Sequence, residues 1–316
     1  MANVIKLHKG LNINLKGRAN EQLLTFQSSG EYALVPDDFE GVTPKVTVKE
    51  GDKVKAGDAL FVNKAYPEVR FASPVSGRVS AVVRGERRKV LAVKVEADAE
   101  QVFQDFGQKD VTSLSGDAVI TALLEAGLFG YINQLPYAIS TQPAVRPKSI
   151  FVSALRDKPL AGDFEYELQG QEQDFQTGLT ALSKIATVHL GIGAHQSATA
   201  LVAAKDVEVT VFQGPCPVGN VGVQVNHLDP VNKGEVVWTV DPTAVIFFGR
   251  LFNTGKVNLQ RLVAIAGSEV KEPAYVKALI GTKIADIVNG KLDDRRHVRL
   301  INGNPLTGTP VKGEGY

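Results

Sequence analysis

Three short apolar runs, SIFVSAL from Ser149, TVHLGI from Thr187 and VEVTVFQG from Val207, alternate with two stretches of helical periodicity, EQDFQTGLTALSKIA and SATALVAAKD. Strand, helix, strand, helix, strand in direct succession is the pattern of a parallel sheet covered by helices. It constrains the middle of the chain more tightly than any other feature. The segment DPTAVIFFGRLFNTG, from Asp241, adds a further helix. On the N-terminal side, Asp117 is placed to cap a helix carrying Val119, Ile120, Leu123 and Leu124 on one face.

The first hundred residues have a different texture. Val-rich runs (KVTVKE, RVSAVV, VLAVKVE) alternate apolar and polar residues and are separated by Gly-Asp and Pro-Gly turn signals. Gly51-Asp52 and Gly57-Asp58 mark one half, and Pro74 and Gly77 in ASPVSGRV mark the other. The pattern resembles the biotinyl/lipoyl-like β hammerhead. Carriers of that fold present a lysine at a hairpin tip within an Asp-Lys-Ala or Met-Lys-Met triplet. Here the nearest lysine is Lys64, preceded by Asn63 and followed by an extended Tyr66-Pro67 tip. Lys64 is therefore expected to be unmodified. Past Lys256 the texture changes again. VNLQRLVAIAGSEV reads as a strand pair, EPAYVKALIGTKIADIVNG as a strand and a short helix beginning near Thr282, and HVRLINGNPLTGTPV as two strands about an Asn-Gly turn.

Bulk properties exclude several function classes. The net charge is +1, with 44% hydrophobic and 22% charged residues, so no global field draws the chain to nucleic acid. Two local basic clusters stand out: Arg84, Arg87, Arg88 and Lys89, and Lys291, Arg295, Arg296 and Arg299. The single cysteine, Cys216, rules out an internal disulfide and a Cys-ligated iron–sulfur cluster within this sequence. No apolar run approaches the roughly 18 residues of a spanning helix, and the N-terminus lacks the apolar core of a signal peptide.

Two glycine-bearing turns could carry chemistry. In HLGIGAHQSATA, Gly191 and Gly193 stand between a strand and a helix, as in a dinucleotide site. Gln196 replaces the third glycine, however, and Gln213 replaces the acid expected at the end of the next strand. His189 and His195 lack zinc-site spacing. The loop GPCPVGNVGVQVNHLDPV follows a buried strand at the carboxyl edge, where α/β sheets bind ligands. Its candidate residues are Gly214, Pro215, Cys216, Pro217, Gly219 and Gly222, with His227 beside them as a hydrogen-bond donor or proton relay. The competing expectation is a purely structural crossover. Spacing suggests no base for Cys216, so no catalytic residue is assigned.

The pieces LHKGLNINLKG, KVTVKEGDKVKAGDALFVNK, FASPVSGRV, ALRDKPLAGD, GPCPVGNVG, NHLDPV and LINGNPLTG span nearly the whole chain. Together they resemble the NqrA family, a component of the bacterial Na+-translocating NADH:quinone oxidoreductase. The resemblance implies an α+β and α/β multidomain chain. Its parts are a barrel-sandwich β domain with its N-terminal strand at 1–105, a Rossmann-like parallel α/β domain at 106–255, and a β-grasp, SLBB-like soluble-ligand-binding domain at 256–316. It further implies a helical region beyond Tyr316.

The implied function is that of one subunit of a Na+-transporting respiratory NADH:quinone reductase, inactive alone. The implied place is the cytoplasmic face of the bacterial inner membrane, held through integral membrane subunits. The implied role lies in the quinone (ubiquinone or menaquinone) step and in assembly. The residues themselves, not the resemblance, single out Gly214–Gly222 and His227 as the quinone contacts expected if this chain touches the headgroup. Metal and nucleic acid have no implied part. NAD, FMN or FAD and iron–sulfur centres fall to partner subunits. Flavin-bearing relatives, the C subunit of the Rnf complex and the NADH-binding flavoprotein subunit of complex I, carry a GxGGAxFP-type loop. LEAGLFGYINQLPYA, with only Gly127 and Gly130, stands in its place here, with bulky Leu128 and Phe129. The open alternatives are an FMN- and NADH-binding flavoprotein, a biotin or lipoyl carrier, and a scaffold that binds no small molecule.

Overall fold

A computed structural model of the protein describes residues 3–293, 297–311 and 314–316. Arg295 and Arg296 of the second basic cluster lie outside the described residues. The architecture is multidomain, with mixed sheets and helices. The central sheet has seven strands, ordered Asn3–Lys6, Glu208–Gln213, Val188–Gly193, Ile150–Ser153, Val237–Val240, Ile132–Leu135 and Ile139–Ser140. The first five are mutually parallel. The last two close that edge in antiparallel pairing. The expected alternation produces the parallel part because each strand returns through a helix packed on the sheet. The helix Gly116–Glu125 is capped by Ser115, whose hydroxyl accepts from the Ala118 N–H, rather than by Asp117 in its first turn.

The β domain consists of two facing sheets. One is ordered Glu31–Leu34, Val90–Ala97, Gly77–Arg84 and Lys53–Val54. The other is ordered Pro44–Val46, Ala59–Asn63 and Arg70–Ala72. Phe61 and Phe71 stack with ring centroids 4.7 Å apart, and both are fully buried. Lys64 is exposed in the connection after Ala59–Asn63, where the Asn63 side chain accepts from the Ala65 N–H at 3.0 Å.

In the C-terminal part Gln260–Ile265 pairs with Ala274–Leu279, and Leu300–Asn302 pairs with Thr309–Val311 about Gly303. VNLQRLVAIAGSEV thus supplies one strand instead of two. Its second half bends away at Gly267, whose N–H donates to the Gly17 carbonyl.

The N-terminal segment departs most from expectation. Its first strand, expected with the β domain, pairs with Glu208–Gln213 at the edge of the central sheet. Leu23–Leu24 then joins the C-terminal sheet, and only Glu31–Leu34 enters the β domain. One short stretch therefore stitches the three parts together. The glycines of LEAGLFGYINQLPYA do related work. A Cβ on Gly127 would strike the Ala72 backbone, and one on Gly130 would overlap the Phe71 ring. Leu128 and Phe129 are fully buried beside them. These glycines let the α/β domain seat closely on the β domain, and they line no open cradle.

Candidate functional site: the carboxyl edge of the central sheet

The carboxyl ends of the parallel strands gather four segments: Ala154–Lys158, Gly193–Ala198, Gly214–Gly222 and Asp241–Thr243. The chain-order reversal lies between Ile150–Ser153 and Val237–Val240, the place where open α/β sheets form a ligand crevice.

That crevice is filled by side chains of the protein. Arg156 donates to the Glu167 carboxylate at 2.7 Å and to the Thr243 hydroxyl at 2.8 Å. Thr243 in turn donates to Glu167 at 2.9 Å, and Asp241 lies 3.6 Å from the guanidinium. Glu167 is 1% exposed. Crowding by protein opposes the charge on Asp241, and Arg156 and Arg261 outweigh it, holding the carboxyl below the usual carboxylate range even though 56% of the side chain is exposed at the rim.

The helix N-termini on this edge are occupied in the same way. Asp241 accepts from the Thr243 N–H at 2.9 Å and caps the helix Pro242–Thr254. Glu165 accepts from the N–H groups of Ser197 and Ala198, just before the single turn Thr199–Val202. At the turn resembling a dinucleotide motif, the Gln196 side chain takes the Gly193 N–H at 2.8 Å and donates to the Ala154 carbonyl at 3.1 Å. Gln196, the residue standing for the third glycine, therefore fills the position it would otherwise open. A Cβ on Gly191 would overlap Gln224, which is 1% exposed. The amides that would grip a phosphate already have partners.

The Gly214–Gly222 loop is held from three sides. Asp157 accepts from the Gly219 N–H at 2.7 Å. Ser153 donates to the Gly219 carbonyl at 3.0 Å and accepts from Gln224 at 2.9 Å. The third side is the N-terminal segment. Leu11 N–H donates to the Cys216 carbonyl, and Cys216 N–H donates to the Asn12 side chain, each at 2.9 Å. Gly214 (φ 144°) and Gly10 (φ 151°) make this possible, because a side chain at either would overlap backbone of the opposite segment. The sequence suggests glycines freeing backbone for a ligand; the backbone they admit is the chain's own. Gly222 sits in the first turn of the helix Val221–Leu228, its N–H bonded to Asn220.

Gly214, Pro215, Cys216, Pro217 and Gly219 are brought together, with Gly222 adjoining; His227 is not. It is exposed near the far end of Val221–Leu228, its Nδ1 2.8 Å from the Val223 carbonyl. Two residues on, Asp229 bonds Ser149 and Lys148, at the amino end of Ile150–Ser153 and thus the opposite edge of the sheet. Burial, and then the neighbouring Asp157 carboxylate, push the Cys216 thiol up from its ordinary value. A thiol held protonated at neutral pH is a poor nucleophile. His189 lies against Phe151, ring centroids 4.7 Å apart, with burial lowering its pKa. His195 is exposed beside Gly193. Among the described residues no cluster of three or more His, Cys, Asp or Glu could hold a metal ion.

Sequence reasoning misses Glu165, Glu167 and Thr243, and it values Arg156 and Asp157 only as part of ALRDKPLAGD. Buried charge pairs between distant segments leave no local pattern to find.

Comparison with known proteins matches three family models. They are described as the NqrA N-terminal barrel-sandwich hybrid domain over residues 5–98, the NqrA second alpha/beta domain over 114–257 and the NQRA C-terminal domain over 262–313. The A subunit of the Na(+)-translocating NADH-quinone reductase of Neisseria meningitidis is 34% identical over 314 residues, covering 98% of this chain and 70% of that protein. The protein of the same name from Yersinia pestis bv. Antiqua is 33% identical over 318 residues, covering 99% and 71%. A crystal structure of an NAD+-reducing NiFe hydrogenase in its H2-reduced state covers 64% of this chain and 43% of its own, at 15% identity and a TM-score of 0.45, too low to carry an argument.

Proposed function

The chain belongs to the NqrA family of Na+-translocating NADH-quinone reductase subunits, and from that membership we propose that it serves the quinone step and the assembly of that complex without holding a flavin or a nicotinamide itself. One observation carries the second half of this reading. The phosphate positions of its Rossmann-like edge are taken by Asp241, Glu165 and Gln196. A bound phosphate would have to displace two carboxylates and one amide while bringing negative charge beside the carboxylates. No helix among the described residues is long and apolar enough to cross a membrane, and the proposal makes this subunit a peripheral one. The cytoplasmic face is the side this proposal gives it, against the integral membrane subunits.

The test is a thermal-shift titration of the chain with FMN and with NADH. Neither is expected to move the Tm. A saturable rise with either would return the chain to the flavoprotein reading.

The quinone contact is assigned, in the same proposal, to the outer surface of Pro215–Pro217, with His227 left out because it lies at the other sheet edge. In the assembled complex Cys216→Trp is expected to raise the quinone KM severalfold and to leave NADH oxidation by a soluble artificial acceptor unchanged. An unchanged quinone KM removes this loop from the quinone step.

A further inference from the structure

The N-terminal segment between its two strands is unusual in what it leaves in water. Leu11 is 71% exposed, Leu15 44% and Ile13 40%, at alternate positions of one stretch. The intervening Asn12 turns its side chain onto the Cys216 N–H, so the stretch is tied to the sheet edge through its backbone and its polar residue. Gly17, at the far end, is fastened by the Gly267 N–H. An anchored segment that holds three large aliphatic side chains at least 40% exposed leaves much of their apolar surface unused within this chain.

The charges around these side chains are of one sign. Lys6, Lys9, Lys16 and Arg18 are exposed, and the first acidic residue of the chain is Glu21. No ion pair among the described residues involves any of these four. Across the contact with the Gly214–Gly222 loop, the Asp157 carboxylate is engaged with the Gly219 N–H. Aliphatic side chains ringed by unpaired cations complement the headgroup layer of an anionic bilayer, where cations meet phosphate and the aliphatic groups enter the acyl boundary.

We propose that residues 6–18 are a membrane-contacting element through which this chain touches anionic lipid directly, in addition to whatever it owes to partner subunits. The contact needs no spanning segment. It lies beside the Gly214–Gly222 loop, and it stands or falls independently of the quinone assignment, because its readout is lipid binding by the chain alone.

The test is sedimentation of the whole chain with vesicles of equal parts phosphatidylglycerol and phosphatidylcholine, against vesicles of phosphatidylcholine only. Binding to the anionic vesicles is expected to be at least about tenfold stronger and to weaken with added salt. Lys9→Glu with Lys16→Glu is expected to abolish the preference. Leu11→Ser, Ile13→Ser and Leu15→Ser together are expected to remove stable binding at a Tm lowered by no more than a few degrees, since each residue is at least 40% exposed and none belongs to a buried core cluster. Ile13→Trp is expected to shift its emission to the blue only with anionic vesicles. Equal binding to both vesicle types, or binding indifferent to the serine variant, overturns the proposal. So does a wild-type chain that ignores vesicles while the serine variant fails to join the membrane subunits, an outcome that reassigns the surface to a protein partner.

Discussion

Gly249→Ala is expected to destabilise the protein by at least about 3 kcal/mol, the upper end of the usual cost of overpacking. In an exposed helix the same change is ordinarily worth up to about 1 kcal/mol in the other direction, so the sign itself is informative. Gly249 lies in the helix Pro242–Thr254, which crosses Glu172–Ser183. A methyl on Gly249 would overlap the Asp174 carbonyl oxygen, and a methyl on Gly178 would overlap the Val245 carbonyl oxygen. The crossing is reciprocal, with each helix giving up a side chain where the other presents backbone. Both obstacles are main chain, so no rotamer change relieves the clash and the helices must separate. Around them Phe175, Leu179, Val245, Phe248 and Phe252 are all at most 1% exposed, so a separation opens the core as well. For a cooperative unit the size of the α/β domain the loss corresponds to a fall in Tm of about 6–12 °C. Gly222→Ala is the control. Its Cβ would meet only the Asn220 side chain at 3.2 Å, and the change is expected to stay within about 1 kcal/mol. If Gly249→Ala and Gly222→Ala shift the Tm alike, the close crossing is not what stabilises this layer.

Glycines like these mark the limit of what a sequence makes legible. Periodicity reveals both helices, because an apolar face at 3.6-residue spacing survives any tertiary arrangement. It does not distinguish a glycine that closes a helix crossing from one that opens a backbone to a ligand. In sequence Gly214 and Gly219 look ligand-facing, and the fold sets them against Leu7 and against Leu155 with Asp157. The N-terminal strand is recognisable as a strand from its alternation, yet its pairing with Glu208–Gln213 spans some two hundred residues of sequence and has no local signature. His227 fails as a site residue for a geometric reason. Proximity in sequence to a loop says little once a helix begins, since Val221–Leu228 carries the chain from one sheet edge to the other. Gln196 is the most legible of the site residues. Its side chain stands where a cofactor motif needs none, and in the fold it takes the very N–H such a motif would leave free.

The same substitution of protein for ligand sets the second large expectation, at the crevice filled by Arg156 and Glu167. Glu167→Leu is expected to cost about 3–5 kcal/mol, because it leaves a desolvated guanidinium facing an apolar side chain. Arg156 keeps the Thr243 hydroxyl at 2.8 Å and Asp241 at 3.6 Å, and Asp241 is also committed to its helix cap. Neither replaces the direct 2.7 Å bond to a carboxylate whose side chain is 2% exposed. Adding Arg156→Met to Glu167→Leu is expected to recover most of the loss, since the cost lies in the stranded charge more than in the missing attraction. Denaturant titration of wild type, the two single variants and the double variant measures the coupling, with an unchanged m-value showing that the unfolded state is not responsible. A loss under about 1 kcal/mol for Glu167→Leu would mean that solvent reaches Arg156 and that the crevice is open after all. The full loss with recovery in the double variant would mean that the place where α/β sheets receive their ligand has here become part of the structural core. In a chain built that way, contacts with a ligand or a partner fall to the outer loops.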